Sequence, residues 1–297
     1  MLHFPVLLEE SVEFLISDLD GSYIDCTYGR GGHSQKILSK LSNKASLTSF
    51  DKDPEACIDA KNISNNNFSI KNNSFSSLKS YFSANSVDGI LYDLGTCSTH
   101  LEDASRGFSF MHDGPLDMRF NNKQGSPLSK WINSASYDDI LNILYKYGDE
   151  KHGKLITKAI IDMRMKTELL STSQLANLIE DCYPEKRKKL HPATKSFQAF
   201  RIFINDELKE IKDSLEQASS IVKKGGRIVV ISFHSLEDNL VKNFFKPKKI
   251  GFPKDIPINT IENKEFECIA KKIRPTKNEI EENPRSRSAI MRVFEKL

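Results

Sequence analysis

The pattern of strand-like and helix-like runs changes partway along the chain, and this change limits which folds are possible. Between residues 22 and 95, short runs typical of strands alternate with runs that have helical spacing. Such alternation predicts a parallel sheet covered by helices on both faces, an α/β fold. The alternation stops near residue 104, and a buried-strand run returns only with GRIVVISF at 226–233. We therefore expect one sheet that the chain leaves and later completes.

The intervening segment, 104–195, contains helical patterns and no convincing strand pattern. In SYDDILNILYKYG, Ser136 is a suitable N-cap, and an apolar stripe follows it before Gly148. After this segment, ECIAKKIRP and SAIMRVFEKL alternate enough to predict a terminal antiparallel pair. We predict that 1–103 and 196–297 together form the sheet domain, with 104–195 as an inserted all-helical domain.

Composition excludes several classes of protein. The five cysteines show no CxxC spacing, which argues against a structural zinc site or a disulfide framework. Apolar stretches are too short to span a bilayer, and the first residues lack the basic region of a secretory signal. We therefore expect a cytoplasmic protein that has no membrane partner. The sequence does not indicate an oligomeric state.

Positive charge is concentrated in two places. The net charge of +3 does not by itself demand nucleic acid. However, EKRKKLHPATK and NPRSRSAIMR are basic clusters of the kind that binds phosphate groups. A solvated basic face explains such clusters equally well, so charge alone leaves both interpretations open.

A glycine-rich turn, DCTYGRGGHS, follows the first predicted strand. In open parallel sheets, ligands bind beyond the carboxyl ends of the strands, and glycines let the backbone turn sharply and approach a ligand. Asp51 ends the second predicted strand twenty residues after Gly31, where an acid commonly takes ribose hydroxyls. Asp93 ends the fourth strand. Three strand ends are therefore expected to meet at one crevice.

The acids favour one ligand class over another. A nicotinamide dinucleotide would use a similar turn, with Ser34 here at the third glycine position. A carboxylate at Asp25 beside the turn would oppose a pyrophosphate and favour an ammonium group. S-adenosylmethionine has an ammonium, a sulfonium and a ribose but no phosphate. The residues therefore favour this methyl donor, while a turn needed only for packing stays open.

Longer stretches carry a resemblance to a known family. HFPVLLEE, YGRGGHS, ASRGFSFMHDGPLDMRF, HPATKSFQAFRIFINDEL, GGRIVVISFHSLED and NPRSRSA occur in this order over nearly the whole chain. Together they closely resemble the bacterial small-subunit ribosomal RNA methyltransferase H family, also called the MraW family. The resemblance implies a class I, Rossmann-like methyltransferase fold with a helical insertion that recognises RNA. It also implies methyl transfer to the exocyclic N4 of a cytosine in the decoding region of 16S rRNA.

The resemblance also implies residue roles. It places contacts to S-adenosylmethionine at seven positions: Gly31, Gly32, His33, Asp51, Phe75, Asp93 and His100. The family normally reads DLGVSSPQ where this chain reads DLGTCSTH, so His100 replaces a glutamine. Because imidazole and amide offer different donors and acceptors, that contact is expected to differ.

The expected chemistry needs alignment and a proton acceptor. The sulfonium is a good leaving group, so positioning of the reacting atoms supplies most of the acceleration. An acceptor near the cytosine amine would help because its lone pair is delocalised. Catalytic candidates are His234 in SFHSLED and Asp117 in GPLDMRF. No metal is required for methyl transfer, and the absence of GxSxG argues against a serine hydrolase.

RNA binding needs cations for phosphates and aromatic groups for exposed bases. Our candidates are Arg106, Phe108, Arg119, Lys186, Arg187, Lys188, Lys189 and His191. Phe108 is equally consistent with a buried plug. The expected partner is 16S rRNA or the small ribosomal subunit. Two alternatives stay open, a non-catalytic RNA or assembly factor and a DNA cytosine N4 methyltransferase.

Overall fold

The computed structural model describes residues 5–184, 191–250 and 261–297. The chain divides into two compact units. One, the sheet unit, comprises Met1–Gly95 and Leu208–Leu297, and the other, the helical unit, is Thr96–Glu207. The predicted insertion 104–195 lies inside the helical unit, which extends beyond it at both ends.

The sheet unit contains a seven-stranded mixed sheet. The strands in chain order are β1 (Ser22–Asp25), β2 (Ser46–Asp51), β3 (Phe68–Asn72), β4 (Val87–Asp93), β5 (Val222–Ser232), β6 (Lys248–Ile250), β7 (Ile261–Asn263), β8 (Phe266–Ile273) and β9 (Ile290–Lys296). The sheet has the order β3-β2-β1-β4-β5-β9-β8, and β6 pairs with β7 separately. The first five sheet strands are parallel, and β9 is antiparallel to both neighbours. The predicted Rossmann-like class I fold is confirmed.

Helices connect the strands and fill the second unit. They are α1 (Leu8–Leu15), α2 (Gly32–Lys40), α3 (Pro54–Ala60), α4 (Ser98–Glu102), α5 (Leu128–Ile132), α6 (Tyr137–Gly148), α7 (Gly153–Arg164), α8 (Thr172–Asp181), α9 (Thr194–Ile204), α10 (Glu207–Ile221), α11 (Ser235–Phe244) and α12 (Lys277–Glu282). Short 3₁₀ helices occur at Phe75–Ser80, Ala104–Arg106 and Pro284–Ser288. Among the described residues, no helix combines the length and apolar character needed to cross a membrane.

Successive residues of the central strands point to opposite faces of the sheet, and both faces are buried. Ile24 and Ile90 lie in one apolar cluster, whereas their neighbours Tyr23 and Leu91 lie in another. This explains why the parallel strands read as continuous apolar runs. Burial on both faces leaves the ends of the strands as the surface where polar groups of the sheet meet solvent.

The helical unit has its own apolar core. The predicted stripe of α6 packs there through Ile140 and Leu144 beside Phe197 and Phe200 of α9. Ser136 caps α6, as predicted, by accepting a hydrogen bond from the Asp139 N–H. α9 was not predicted, because its sequence TKSFQAFRIFI is apolar enough to resemble a strand.

The start of β5 differs from what its local sequence indicates. The KKGG stretch, 223–226, has a composition typical of a turn between a helix and a strand. Instead α10 ends at Ile221 and β5 begins at Val222, with Gly225 at φ +77° inside the strand and a shift of the β4 register nearby. Lys223 donates to both carboxylate oxygens of Asp88 on β4 at 2.8 Å, which holds this irregular start against the sheet.

Candidate active site

Acidic residues end three parallel strands at the same edge of the sheet. Asp25, Asp51 and Asp93 are the last residues of β1, β2 and β4. Asp25 is in register with Ser49 of β2 and Leu91 of β4, two residues before each neighbouring strand ends. The Asp93 N–H donates to Thr27 Oγ1 at 2.7 Å, which joins the turn after β1 to the end of β4. The predicted convergence of strand ends is therefore present.

The glycine turn after β1 is tight and packed. Gly29 and Gly31 have φ of +57° and +78°, a region that glycine adopts without strain. A Cβ on Gly31 would lie 2.6 Å from the Tyr28 hydroxyl, and one on Gly32 would lie 2.2 Å from Pro5 Cγ. Packing alone therefore accounts for the missing side chains at both positions, and it keeps the backbone in one conformation beside the strand ends.

Asp25 is buried behind the glycine turn and forms hydrogen bonds with it and with α2. Its exposed fraction is 0%, and it accepts hydrogen bonds from Ser34 Oγ at 2.6 Å and from the Thr27 N–H at 3.0 Å. Burial raises its pKa to about 6, against the lowering effect of these hydrogen bonds. The expectation that Asp25 faces a ligand's ammonium group is wrong, because the side chain has no surface to offer.

Asp51 lies at the level of the turn and is partly exposed. One carboxylate oxygen accepts from the Gly29 N–H at 2.8 Å, and the other accepts from the Asp53 N–H at 2.8 Å. Asp53 in turn caps α3 by accepting from the Glu55 N–H. A carboxylate oxygen has two lone pairs, so these two N–H groups do not by themselves use the full acceptor capacity of Asp51.

His33 and Asp93 face each other at the same edge. His33 Nδ1 is 3.6 Å from Asp93 Oδ2, and His33 Nε2 is 3.1 Å from the Val6 carbonyl oxygen. A carbonyl can only accept, so Nε2 carries the hydrogen in this contact. The His33 side chain is 5% exposed, and Asp93 is 17% exposed. The imidazole therefore acts as a fixed wall beside a carboxylate that solvent can reach.

Phe75 begins the 3₁₀ helix that follows β3. Its ring meets Tyr92 edge to face with centroids 5.8 Å apart, and its carbonyl accepts from Ser214 Oγ at 3.0 Å. It is partly exposed, so it offers an apolar face to a flat ring. The sheet unit thus contains six of the seven predicted donor contacts.

His100, the seventh, belongs to the helical unit. Its ring stacks on Phe108 at 5.1 Å and contacts Phe120 at 5.4 Å. Burial raises the pKa of the Cys97 thiol, but hydrogen bonding to His100 and to Thr99 outweighs it, so this pKa is lowered. Cys97, Thr99 and His100 all depart from the family pattern, and they therefore interact with one another through the Cys97 thiol. The predicted donor contact at His100 stays a prediction.

His234 is placed as a helix cap. Its Nδ1 accepts from the Glu237 N–H at 3.5 Å, and Glu237 Oε2 accepts from the N–H groups of Phe233 and His234. His234 Nε2 also lies 3.1 Å from Glu237 Oε1. Both ring nitrogens therefore face groups of the same helical turn. The His-x-x-Glu spacing before an apolar helix is the sequence signal for this capping box, which was not predicted.

Asp117, the other catalytic candidate, is paired with a candidate for RNA contact. Arg119 donates from Nε to Asp117 Oδ1 at 2.7 Å and from a terminal nitrogen to Oδ2 at 2.6 Å. The other terminal nitrogen donates to the carbonyls of Gln124 and Gly125. This bidentate pair raises the pKa of Arg119 and gives each oxygen of the proposed proton acceptor a hydrogen bond from the guanidinium.

The remaining candidates for RNA contact differ in exposure. Arg106 is 4% exposed and donates to the carbonyls of Arg119 and Phe120, and Phe108 is 6% exposed. His191 is exposed, stacks against Phe110 and lies 3.7 Å from Glu180. The other four predicted contacts, Lys186, Arg187, Lys188 and Lys189, lie outside the described residues.

The sheet-unit edge fits the chemistry of S-adenosylmethionine. It offers two partly exposed carboxylates, Asp51 and Asp93, beside a tight glycine turn and an aromatic face. Carboxylates attract a sulfonium and an ammonium, accept from ribose hydroxyls and repel phosphate. The donor set is thus suited to a cationic nucleoside.

A protein-family model described as the MraW methylase family matches residues 1–297. The chain belongs to the MraW methylase family. It is therefore a methyltransferase, and S-adenosylmethionine is its methyl donor.

Several solved structures are similar to this chain at low identity. A candidate rRNA methylase of Clostridium thermocellum is 11% identical over 100% of this chain and 98% of that chain, with a TM-score of 0.47. A candidate methyltransferase of Streptococcus mutans, in complex with SAH, is 13% identical over 100% of both chains, with a TM-score of 0.45. An rRNA methylase of Streptococcus thermophilus is 10% identical over 100% and 99%, with a TM-score of 0.43. Likenesses at this level say nothing about the reaction of this chain.

Proposed function

We propose that this chain methylates the exocyclic N4 of a cytosine in the decoding region of 16S rRNA. The observation that carries the proposal is the family match over the whole chain, together with two partly exposed carboxylates beside a glycine turn. The motif blocks of the ribosomal RNA methyltransferase H family support the choice of base and position. The substrate is 16S rRNA or the small subunit that contains it.

In this proposal the sheet unit holds the donor. Asp51 accepts hydrogen bonds from the ribose hydroxyls, because its oxygens are already fixed by the N–H groups of Gly29 and Asp53. Asp93 and the neighbouring His33 face the cationic part of the donor, and Phe75 packs against the base. Gly31 and Gly32 bring the backbone of the turn alongside.

When bound, S-adenosylmethionine supplies an electrophilic methyl group on its sulfonium. The chain contributes alignment, because the acids and the turn fix the ligand before the base arrives. The cytosine amine must also lose a proton. His234 and Asp117 remain the proposed acceptors. His234 Nδ1 would have to give up the hydrogen bond from the Glu237 N–H to receive the proton, whereas Asp117 Oδ2 accepts one hydrogen bond from Arg119 and has a second lone pair.

Mass mapping of 16S rRNA modifications tests this function. We expect small subunits from cells that lack the protein to gain one methyl group on a decoding-region cytosine when incubated with the protein and donor. The Asp51→Asn variant should give little transfer, whereas Glu13→Gln, at an exposed acid of α1, should act like the unsubstituted protein. Transfer to another base, or to DNA cytosine in preference to rRNA, would contradict the proposal.

A further inference from the structure

A short segment before α1 lies against the glycine turn. We call Pro5–Leu7 the N-terminal strap. Pro5 Cγ is 2.2 Å from the point where a Cβ on Gly32 would lie, so the proline ring fills the space that the glycine leaves. The Val6 carbonyl contacts His33 Nε2 at 3.1 Å. The strap therefore touches two of the residues that we assign to the donor site.

The strap reverses direction at Leu7. This residue has φ +53° and ψ +39°, which a branched side chain adopts only when its surroundings impose it. Leu7 is fully buried, and α1 begins directly after it. The N–H of Leu7 precedes the helix, so α1 offers it no carbonyl partner.

The acceptor for that N–H comes from the far end of the chain. Glu279 Oε1, on α12, accepts from the Leu7 N–H at 2.8 Å across 272 residues of sequence. Glu279 is partly buried, whereas its helix neighbour Glu281 is exposed. α12 has no fully buried residue, and its N-terminus is capped by Thr276. Within the part of the chain that the structure describes, the Glu279 side chain has one hydrogen bond, with the backbone of the strap.

We propose that Glu279 is a positioning residue for the methyl donor, because it fixes the strap that holds the His33 ring beside Asp93. The path has three contacts: Glu279 with the Leu7 N–H, the Val6 carbonyl with His33 Nε2, and His33 Nδ1 with Asp93 at 3.6 Å. Removing the acceptor leaves a buried N–H without compensation and releases the reversed backbone at Leu7. The inference rests on the donor binding beside the glycine turn.

Donor affinity of the full chain, measured by calorimetry with S-adenosylmethionine, tests this role. Glu279→Ala should weaken binding about tenfold, since a lost hydrogen bond to a charged group has an effect of this order. Glu279→Gln should stay within about twofold, because its amide oxygen can still accept from Leu7. Glu281→Ala, on the same helix, is the matched control and should bind like the unsubstituted protein.

Amide hydrogen exchange at Leu7 without donor supplies an independent readout. Exchange should accelerate in Glu279→Ala and remain slow in Glu279→Gln and Glu281→Ala. Glu279→Asp keeps the charge but shortens the reach, so it should behave like Ala and replaces it if the Ala variant does not fold. Unchanged affinity in a variant with fast Leu7 exchange would overturn the inference, as would equal losses in Gln and Ala. A failure of rRNA methylation alone would refute the proposed function and leave this comparison intact.

Discussion

The sheet unit and the helical unit use charged side chains in different ways. At the edge of the sheet, Asp51 and Asp93 are fixed by backbone or ring contacts and remain partly exposed. In the helical unit, the guanidinium of Arg106 is buried on two carbonyls, and that of Arg119 is held by Asp117 and two further carbonyls. The first arrangement leaves capacity for a ligand, whereas the second uses the charge to hold its own unit together.

This difference between the two units shows in which case the type of a residue predicts its position. Parallel strands bring their last residues to one edge whatever the loops do, so an acid at a strand end is placed by topology. A loop arginine in a helical unit has no such rule, and its guanidinium pairs with whatever carbonyls its own turn leaves unpaired. Strand topology therefore predicts where the acids of the sheet unit lie, whereas charge type alone predicts no position for an arginine of the helical unit.

The largest expected effect is on stability and concerns Asp25, which is buried although Asp51 and Asp93 at the same edge are partly exposed. The pKa of buried Asp25 is about 6, and its ordinary value is 3.8. Between these pH values the folded chain holds more protons than the unfolded chain, so this group's contribution to stability falls as pH rises from about 4 to 6. The loss is about 3 kcal/mol for a shift of this size.

Urea unfolding at several pH values measures this contribution as a difference. The Asp25→Asn variant keeps an acceptor oxygen but does not titrate. The unfolding free energy of the unsubstituted protein, relative to the variant, should fall between pH 4 and pH 7. If this difference does not change with pH, Asp25 is ionised in the folded protein at little cost, as expected for a carboxylate that solvent can reach.

In the helical unit, Arg106→Met should cost about 2.5 kcal/mol of unfolding free energy, because the carbonyls of Arg119 and Phe120 lose a charged donor. Lys154→Met, at an exposed cation of α7, is the control and should change stability by less than about 0.5 kcal/mol. Chemical denaturation of both variants gives the comparison. If Arg106→Met is as stable as the control but binds 16S rRNA more weakly, Arg106 is an RNA contact after all.

Much of the sheet unit followed from the sequence. Apolar runs of strand length and acids at their ends predicted β1, β2 and β4. Ser136 predicted the start of α6, because an N-cap is a local feature of the sequence. These signals work because the residues that produce them are close in sequence.

The details of the site depend on contacts between distant residues. Gly32 is required by Pro5, and the turn at Leu7 is completed by Glu279, which lies 272 residues away. The burial of Asp25 under its own turn depends on Ser34 and on the packing of the whole edge. No local pattern contains this information, so the sequence predicted which residues gather at the edge better than it predicted which of them face outward.

The next largest expected effect is on donor affinity and concerns Asp51, a partly exposed acid at the edge of the sheet. Asp51→Asn should weaken S-adenosylmethionine binding about thirtyfold, because the amide offers one acceptor oxygen where the carboxylate offers two. Calorimetry on the full chain measures this, with Glu13→Gln as the control. Thermal stability of the variant should be recorded in parallel, since Asp51 also holds the N–H groups of Gly29 and Asp53. Weaker binding in a variant that has kept its melting temperature would support a direct contact.

The smallest expected effect is a coupling energy in the helical unit, and it distinguishes a structural role of Asp117 from a catalytic one. A double-mutant cycle with Asp117→Asn and Arg119→Gln should give a coupling energy of about 1 kcal/mol in unfolding free energy, as for a bidentate pair that solvent can partly reach. If Asp117 serves mainly to hold Arg119, methyl transfer by the two single variants should fall together, and the double variant should be no worse than either. If Asp117 accepts the proton, its variant should lose far more kcat than the Arg119 variant, with little change in donor affinity. The second outcome would place a catalytic charge in the unit whose charges otherwise serve its own fold.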